Sequence, residues 1–493
     1  MSPSFFGHPR GLATLFFTEM WERFTYYGMR AVLVLYLVAA VSAGGFGIDD
    51  KTAAAIYGLY TAGTYLVALP GGWIADRLIG ARRAVLIGGL GITLGNVLLA
   101  TSGSPRAFYI GLVVIVLGVG LLKPNVSCMV AELYPEGGAR RDAGFTVFYM
   151  GINVGATLGP FVTGEAQQLF GPRAGFAATA IGMTLGLLQY YLTQRHLGDA
   201  GRFIALPAGN PERRKPWREL WIGVGLLALV LTSCSAGWVS VNPVSLAQGS
   251  TALIVSMAVL YFGYLFTAAG LSADERKKAA VVLVLFLGSA LFWSGYEQAG
   301  SSLNLFAERY TDRSVQWLHF VVPVPTGWFQ SLNPAFIIIF APLFAQGWIA
   351  LAKRSLNPSA PAKFAIGVML MGSGFLIMAA AASIVAHGSK VLPIWLIMTY
   401  LLHTFGELCL SPVGLSYVTK LAPKRFVGQI MGMWFLSLSL GNLLAGLIAG
   451  EFDTNNVAAM PGQYMHIVYF SVGLGAVLLI LSRPVKKLMG DVQ

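Results

Sequence analysis

Apolar residues fill most of this chain in long runs, and short segments with charged and turn-forming residues separate one run from the next. The runs are about 20 residues long, which is the length that an α-helix needs to cross the hydrocarbon core of a bilayer. They are too long for strands and lack the alternation of a half-buried sheet. The pattern therefore predicts fourteen membrane-spanning helices, at residues 12–42, 52–76, 84–102, 107–131, 143–168, 174–194, 218–238, 250–270, 280–305, 329–352, 363–386, 391–418, 427–449 and 464–482.

The composition points the same way. Of the 493 residues, 56% are hydrophobic and 11% are charged. Soluble chains contain about 45–50% apolar and about 25% charged residues, so a soluble enzyme is excluded. An aromatic content of 12% excludes a disordered chain. The three cysteines, Cys128, Cys234 and Cys409, have no pairing or metal-binding spacing, so we expect neither a disulfide framework nor a metal cluster. No cofactor is predicted.

The placement of the basic residues predicts the orientation of the helices. If the N-terminus lies inside, the inner loops hold roughly four times as many lysines and arginines as the outer loops. We therefore expect a multi-pass protein of the cell (inner) membrane with both termini in the cytoplasm. The first residues, up to Leu12, are expected to form a short tail and not a removable signal. The net charge of +12 is explained by this topology, so no nucleic-acid partner is predicted.

A polar stretch at about 195–217 divides the chain after the sixth predicted helix. The next two helices carry no ionisable residue deep in the bilayer, which suggests a peripheral, lipid-facing pair. The expected organisation is a six-helix bundle at 1–194, a linker with two additional helices at 195–278, and a second six-helix bundle at 279–493. Two six-helix halves are the architecture of many secondary transporters.

Several ionisable residues fall within the predicted helices, where a charge costs several kcal/mol and marks a functional site by default. Counting about 1.5 Å per residue from the inner ends places Arg30 and Glu297 at one depth, roughly 26 Å, and Lys123 and Glu407 at another, roughly 12–17 Å. We expect two ion pairs, Arg30–Glu297 and Lys123–Glu407, each joining the two halves. Such pairs must break when the halves move, as alternating access requires, although a purely structural role is the other interpretation.

The first predicted helix carries its polar residues on one stripe, because they recur at steps of three and four. The stripe consists of Glu19, Glu22, Arg23, Tyr26, Tyr27 and Arg30. Lipid does not accept such a stripe, so it is expected to face a polar cavity. Two carboxylates beside one arginine can share and release a proton; a static salt-bridge ladder is the alternative.

At these residues the sequence resembles the proton-dependent oligopeptide transporters of the major facilitator superfamily. Residues 19–28 match the E-x-x-E-R-F-x-Y-Y signature, and residues 148–155 match F-Y-x-x-I-N-x-G. Residues 122–127 and 406–412 resemble two further family blocks, and residues 72–83 resemble the general loop motif of the superfamily. The resemblance runs from the first helix to the last. It implies an all-α integral membrane protein with two six-helix bundles and, as in bacterial members, two extra helices.

The resemblance also implies a function, which is the symport of di- and tripeptides with protons. It assigns Arg23, Arg30 and Lys123 to the peptide carboxylate and Asn153, Asn333 and Glu407 to the peptide amino group. Ser411 is counted among the substrate-binding residues as well. The aromatic residues assigned to the side-chain pockets are Tyr26, Tyr27, Tyr65, Trp293 and Trp434. Glu19, Glu22 and Glu297 are assigned to proton coupling, and Lys123–Glu407 to the inner gate.

The same resemblance implies a protein that works as a monomer in the lipid bilayer, with peptides and protons as its partners. Physical chemistry supports the substrate class, because a short peptide is a zwitterion whose ends lie roughly 5–8 Å apart. Arginine binds a carboxylate through two parallel hydrogen bonds, and aromatic walls tolerate many side chains. Trp293 and Trp434 can also be read as ordinary packing residues.

Two departures and two alternatives remain. Animal relatives carry a proton-sensing histidine on the second helix, whereas residues 52–76 contain none. His403 lies deep in a helix one turn from Glu407, and we interpret it as a packed neutral histidine. Gln298 follows Glu297, so this helix offers one carboxylate. Nucleophile elbows, metal-spaced clusters and P-loops are absent from the sequence, which argues against an enzyme. A transporter of nitrate or drug-like substrates, or a channel or receptor, remains the alternative.

Overall fold

The computed structural model describes residues 5–203, 214–317, 320–452 and 456–488. These residues fold into α-helices and one short antiparallel hairpin, β1 (Ser314–Trp317) with β2 (Phe320–Pro323). The helices are α1 (Arg10–Val38), α2 (Asp50–Leu66), α3 (Ala68–Ile74), α4 (Ala81–Thr101), α5 (Pro105–Glu132), α6 (Gly138–Phe170), α7 (Ala174–Thr193), α8 (Arg214–Ser235), α9 (Pro243–Thr267), α10 (Ala273–Tyr296), α11 (Ser302–Tyr310), α12 (Leu332–Lys353), α13 (Ala360–Ala386), α14 (Ile394–Leu421), α15 (Val427–Ala449) and α16 (Met460–Leu488).

Each of the fourteen predicted spans overlaps a helix of the structure. Within the described residues, 11 helical segments are long and apolar enough to cross a membrane, and a shorter apolar stretch covers Ile394–Leu410. The helix α1 is not among the 11, because its charged stripe interrupts the apolar character. The count of fourteen spans therefore stays a prediction, whereas the predominantly helical, membrane-spanning character is confirmed.

The chain divides into two compact units that interrupt one another along the sequence. The first unit comprises Met1–Val32, Ala39–Gly47 and Gly63–Asn242, and the second comprises Leu33–Val38, Ile48–Ala62 and Pro243–Gln493. The end of α1 and most of α2 therefore pack with the second unit. The domain boundaries predicted at 194 and 278 are not decided by this division and stay predictions.

The first unit is held together by glycines that let helix backbones approach closely. A Cβ atom at Gly155 or Gly159 of α6 would collide with the backbone carbonyls of Met20 or Phe24 on α1. Between α4 and α5, a Cβ at Gly88 would lie 2.6 Å from the carbonyl oxygen of Gly118. Small residues are the usual means of close helix packing in a bilayer, where lipid is as apolar as a leucine side chain. These contacts fix α1 and its polar stripe against α6.

In the second unit, α13 packs against α14 and α16, and α10 packs against α15. The start of α2 is tied to the end of α11 by a bidentate ion pair, with Arg309 donating to Asp50 over 2.5 and 2.8 Å. The exposed pair Lys51–Glu451 lies beside it at 3.2 Å. The helix α8, which belongs to the first unit, has no buried residue, as expected for a peripheral lipid-facing helix.

Two of the predicted spans each consist of two helices with a break between them. The span at 52–76 breaks between α2 and α3, because Pro70 has no N–H to donate to the carbonyl of Leu66. The span at 280–305 breaks at a 3-10 turn, Glu297–Gly300, which separates α10 from α11. Glu297 therefore lies at a helix break and not within a regular helix.

Candidate functional site

The stripe on α1 forms a buried charged cluster in the first unit. The Nε atom of Arg23 contacts Oε1 of Glu19 at 3.2 Å and also donates to Oε2 of Glu22. All three side chains are almost completely inaccessible to solvent. The remaining oxygens, Oε2 of Glu19 and Oε1 of Glu22, accept no hydrogen bond within the described part of the chain. The cluster thus holds two carboxylates on one guanidinium, with acceptor capacity left over.

Aromatic rings accompany the cations of this unit. The guanidinium of Arg23 lies 5.0 Å from the ring centroid of Tyr26, and that of Arg30 lies 5.6 Å from the ring of Tyr27. In these positions each ring face attracts its cation through the quadrupole of the ring. The sequence-predicted residues of α1 therefore lie together, as the stripe required.

Lys123 and Tyr65 extend this group from two other helices. The Nζ atom of Lys123 on α5 lies 4.2 Å from the ring centroid of Tyr65 on α2, and Lys123 acts electrostatically on Glu19. Pro124 follows Lys123 within the helix. Asn153 on α6 is buried and donates to the carbonyl of Tyr149 at 3.0 Å, a bond within its own helix.

The second unit contains a polar cluster centred on Asn333, at the start of α12. The amide nitrogen of Asn333 donates to Oε2 of Glu407 and to Oγ1 of Thr404, both at 3.0 Å, and its oxygen accepts from the hydroxyl of Tyr296 at 2.7 Å. Three hydrogen bonds thereby orient the two polar atoms of the Asn333 side chain. This arrangement fixes the carboxylate of Glu407, a residue of α14 that is only 9% exposed.

Glu297 has a hydrogen-bond donor that the sequence did not indicate. The hydroxyl of Tyr57 on α2 donates to its Oε2 at 3.0 Å, and both side chains are buried. Gly300 makes the approach possible, because a Cβ atom at that position would collide with the hydroxyl of Tyr57. The two partners are separated by 240 positions, so no spacing rule could join them.

Trp293 and Trp434 both pack against other residues of the second unit. Trp293 contacts Tyr296 edge-on at 5.0 Å, and its Nε1 donates to nothing among the described residues. Trp434 packs its ring where Gly414 has no side chain. The side chain of Ser411 lies outside the described residues. The assignment of both tryptophans to substrate pockets stays a prediction.

His403 lies 1% exposed beside Phe375, with ring centroids 5.0 Å apart. Neither ring nitrogen has a hydrogen-bond partner within the described residues. This environment suits a packed neutral imidazole, since a charged ring would be left without a counter-ion.

Sequence analysis missed Tyr57, Tyr296 and Thr404 as members of these clusters. Tyr296 was within reach of inference, because it directly precedes Glu297. Arg30 and Lys123 belong to the first unit, and Glu297 and Glu407 belong to the second. The predicted ion pairs Arg30–Glu297 and Lys123–Glu407 therefore stay predictions.

Comparison with known proteins supplies the family. A profile described as the POT family matches residues 82–467. The chain is 41% identical to the peptide transporter YePEPT of Yersinia enterocolitica, covering 99% of this chain and 97% of the relative. It is 38% identical to a di-/tripeptide transporter of Lactococcus lactis subsp. cremoris, covering 99% and 98%.

A solved structure agrees along the same length. The crystal structure of a peptide transporter POT in complex with sulfate superposes with a TM-score of 0.90 at 40% identity, covering 99% of this chain and 97% of that one. The resemblance inferred from the sequence is confirmed, as are the major facilitator fold and the expectation of a transporter and not an enzyme. This chain therefore belongs to the POT family of membrane transporters.

Proposed function

We propose that this protein is a proton-coupled symporter that imports di- and tripeptides by alternating access. The names of the two relatives support the substrate class, because both are peptide transporters and both align along nearly the whole chain. The proposal places the protein in the cell (inner) membrane as a monomer with both termini in the cytoplasm, as the distribution of basic residues predicts.

The cluster of Glu19, Glu22 and Arg23 is the observation that carries the proposal. Two ionised carboxylates share one guanidinium, so Glu19, Glu22 and Arg23 by themselves carry one net negative charge inside a membrane helix, where charge is costly, and Lys123 of α5 is a further cation of the same group. A proton bound to either carboxylate removes that charge. The free acceptor positions on Glu19 and Glu22 give such a proton a place to bind.

The two ends of a zwitterionic peptide are matched by different parts of the chain. The cations of the first unit, Arg23, Arg30 and Lys123, suit a carboxylate, because arginine offers paired donors in one plane. The oriented carboxylate of Glu407, held by Asn333, suits an ammonium group. Asn153, Ser411 and the aromatic residues named above complete the proposed binding site, with Tyr65 already beside Lys123.

The gating roles are assigned to two pairs of oppositely charged residues. We propose Lys123–Glu407 as the inner gate and Arg30–Glu297 as the pair whose breaking is coupled to protonation of Glu297. The hydrogen bond from Tyr57 supports a role for Glu297, since it holds one oxygen of this carboxylate at a helix break.

The test is uptake of a labelled dipeptide into proteoliposomes, with and without an inward proton gradient. We expect the labelled dipeptide to accumulate only when the gradient is present. Unlabelled di- and tripeptides should compete with it for uptake, whereas free amino acids should not. Liposomes without protein and protein with an uncoupler present serve as controls.

Other outcomes discriminate the alternatives. Uptake that ignores the gradient contradicts proton coupling. Folded protein that takes up no peptide would favour a transporter of nitrate or drug-like organic substrates. Ion conductance that does not saturate would indicate a channel.

A further inference from the structure

A second polar site lies in the first unit, where α1 begins and α7 ends. A pocket of about 600 Å³ is bounded by the first two turns of α1 and by the last turn of α7 with the 3-10 turn that follows it. Its basic side chains are Arg10, Arg195 and His196, and its other members include Thr193, Gln189 and Phe17. None of these residues belongs to the charged cluster or to the proposed peptide site.

The pocket has an excess of positive charge. No aspartate or glutamate lines it, and the side chains of Arg10, Arg195 and His196 enter no ion pair or hydrogen bond within the described residues. Both arginines are exposed. The cations are therefore available to a ligand of opposite charge.

Hydrogen bonds fix the uncharged polar residues of the pocket, which we call its floor. The Thr14 hydroxyl donates to the carbonyl of Thr193 at 3.2 Å, and the Gln189 amide donates to the Thr193 hydroxyl at 2.9 Å. The first bond holds the end of α7 against α1, and the second lies within α7. The polar groups of the floor are thereby fixed in the same pocket as the two arginines.

An apolar groove lies one turn farther along α1 and α7, and α6 also lines it. Its volume is about 370 Å³, and it starts one turn beyond Phe17 on α1, at Met20 and Trp21, and one turn beyond Gln189 on α7, at Leu185. It ends near Phe24 and Ile181. The length from Phe17 to Phe24 is roughly 10 Å, which lies within one leaflet of the hydrocarbon core at about 15 Å.

We propose that this pocket binds the headgroup of an anionic phospholipid and that the groove holds one of its acyl chains. Guanidinium groups pair with phosphate oxygens through parallel hydrogen bonds, and basic pockets at the cytoplasmic ends of membrane helices are suited to acidic headgroups. The adjoining groove selects a lipid over a free anion, because it places apolar surface directly beside the charges. The proposal is independent of the substrate that the protein carries.

The test is native mass spectrometry of the purified full-length protein after exchange into micelles containing phosphatidylglycerol or phosphatidylcholine. Wild-type protein is expected to retain phosphatidylglycerol in preference to phosphatidylcholine. The double variant Arg10→Gln/Arg195→Gln should bind phosphatidylglycerol about 30-fold more weakly, because each basic residue contributes about 1 kcal/mol and 1.4 kcal/mol corresponds to tenfold.

Matched variants distinguish lipid binding at this pocket from a general effect of positive charge on the protein. Arg83→Gln/Arg140→Gln removes the same charge from exposed positions elsewhere and should leave retention unchanged. Arg10→Lys/Arg195→Lys keeps the charge and should retain most of the binding. Thermal unfolding of every variant is measured alongside, so that loss of binding by a misfolded protein is recognised.

Three results would overturn the proposal. One is unchanged phosphatidylglycerol retention in a folded Arg10→Gln/Arg195→Gln variant. Another is an equal loss in the Arg83→Gln/Arg140→Gln control. The third is displacement of the lipid by inorganic phosphate alone, which would identify a site for free anions.

Discussion

At the scale of single residues, the first unit concentrates its chemistry on one guanidinium. Arg23 binds Glu19 and Glu22 at once and lies against the ring of Tyr26. A carboxylate buried in this way depends on its partner, since removing one member of a buried pair leaves an uncompensated charge. The three residues should therefore respond to substitution as a unit.

The variant Glu22→Gln tests the proton role of the cluster. It removes the excess negative charge, so the cluster no longer needs a proton for neutrality. We expect accumulation driven by the proton gradient to be lost while peptide counterflow exchange continues, both measured in proteoliposomes. Glu165→Gln, a carboxylate of α6 outside the cluster, is the matched control. Normal gradient-driven accumulation by Glu22→Gln would exclude this residue from coupling.

The variant Tyr57→Phe tests the hydrogen bond to Glu297. Loss of the donor leaves a buried carboxylate oxygen less well satisfied, so the free energy of unfolding should fall by about 1–3 kcal/mol. Because the hydroxyl also positions Glu297, gradient-driven uptake should fall severalfold. Tyr464→Phe removes a hydroxyl from an equally buried tyrosine of the same unit and serves as control. Wild-type uptake and stability in Tyr57→Phe would show that this bond has no role.

At the scale of helices, caps and breaks decide the positions of the charged residues. Ser272 and Glu275 form a capping box, and α10 begins at Ala273, earlier than the hydrophobic pattern predicts. Counted from the observed starts, Arg30 lies about 20 residues along α1 and Glu297 about 24 along α10, or roughly 30 and 36 Å. Residue counting from the helix starts therefore does not decide whether Arg30 and Glu297 meet.

Close approach of α1 and α6 is a property of the helix pair that substitution can test. Gly155→Ala should lower the free energy of unfolding by about 1–3 kcal/mol, because the new methyl group meets the carbonyl of Met20. Thermal unfolding in detergent measures the effect. Gly223→Ala on α8, where a Cβ meets nothing within 4 Å, should be neutral or slightly stabilising. Equal stability of the two variants would contradict the packing argument.

At the scale of the whole molecule, the two compact units do not follow the order of the chain. Residues Ile48–Ala62 belong to the second unit, where Asp50, Tyr57 and Lys51 contact its other segments, although in sequence they lie between two segments of the first unit. The bidentate Asp50–Arg309 pair is half-buried, which makes it stronger than the exposed Lys51–Glu451 pair. The helix α2 is thus divided between the units, with its residues up to Ala62 in the second unit and those from Gly63 in the first.

The predicted orientation can be tested by cysteine labelling. In a background without Cys128, Cys234 and Cys409, Ser104→Cys should react with an impermeant maleimide in intact cells. Ala139→Cys should react only after the membrane is permeabilised, because it lies beside Arg140 and Arg141 at the start of α6, an end that is predicted to lie inside. Both positions are exposed. The reverse pattern would place both termini outside.

The sequence by itself determined the membrane class, the helical fold, the family and the charged stripe on α1. These features are local, since hydropathy, helical spacing and short motifs act within a few turns. It did not predict the break at Glu297 or the capping box that starts α10, although Ser272 and Glu275 carry the signal for the latter.

Only the tertiary structure decided which distant side chains meet. Tyr57 reaches Glu297 across 240 positions, and Asn333 orients Glu407 across 74, because packing brings together helices that no sequence period connects. The same holds for the basic pocket, because Arg10 begins α1 whereas Arg195 follows the end of α7, far away in the sequence. Hydrophobic pattern specifies that a helix is buried, whereas the partners of its polar groups depend on the three-dimensional arrangement of all the helices around it.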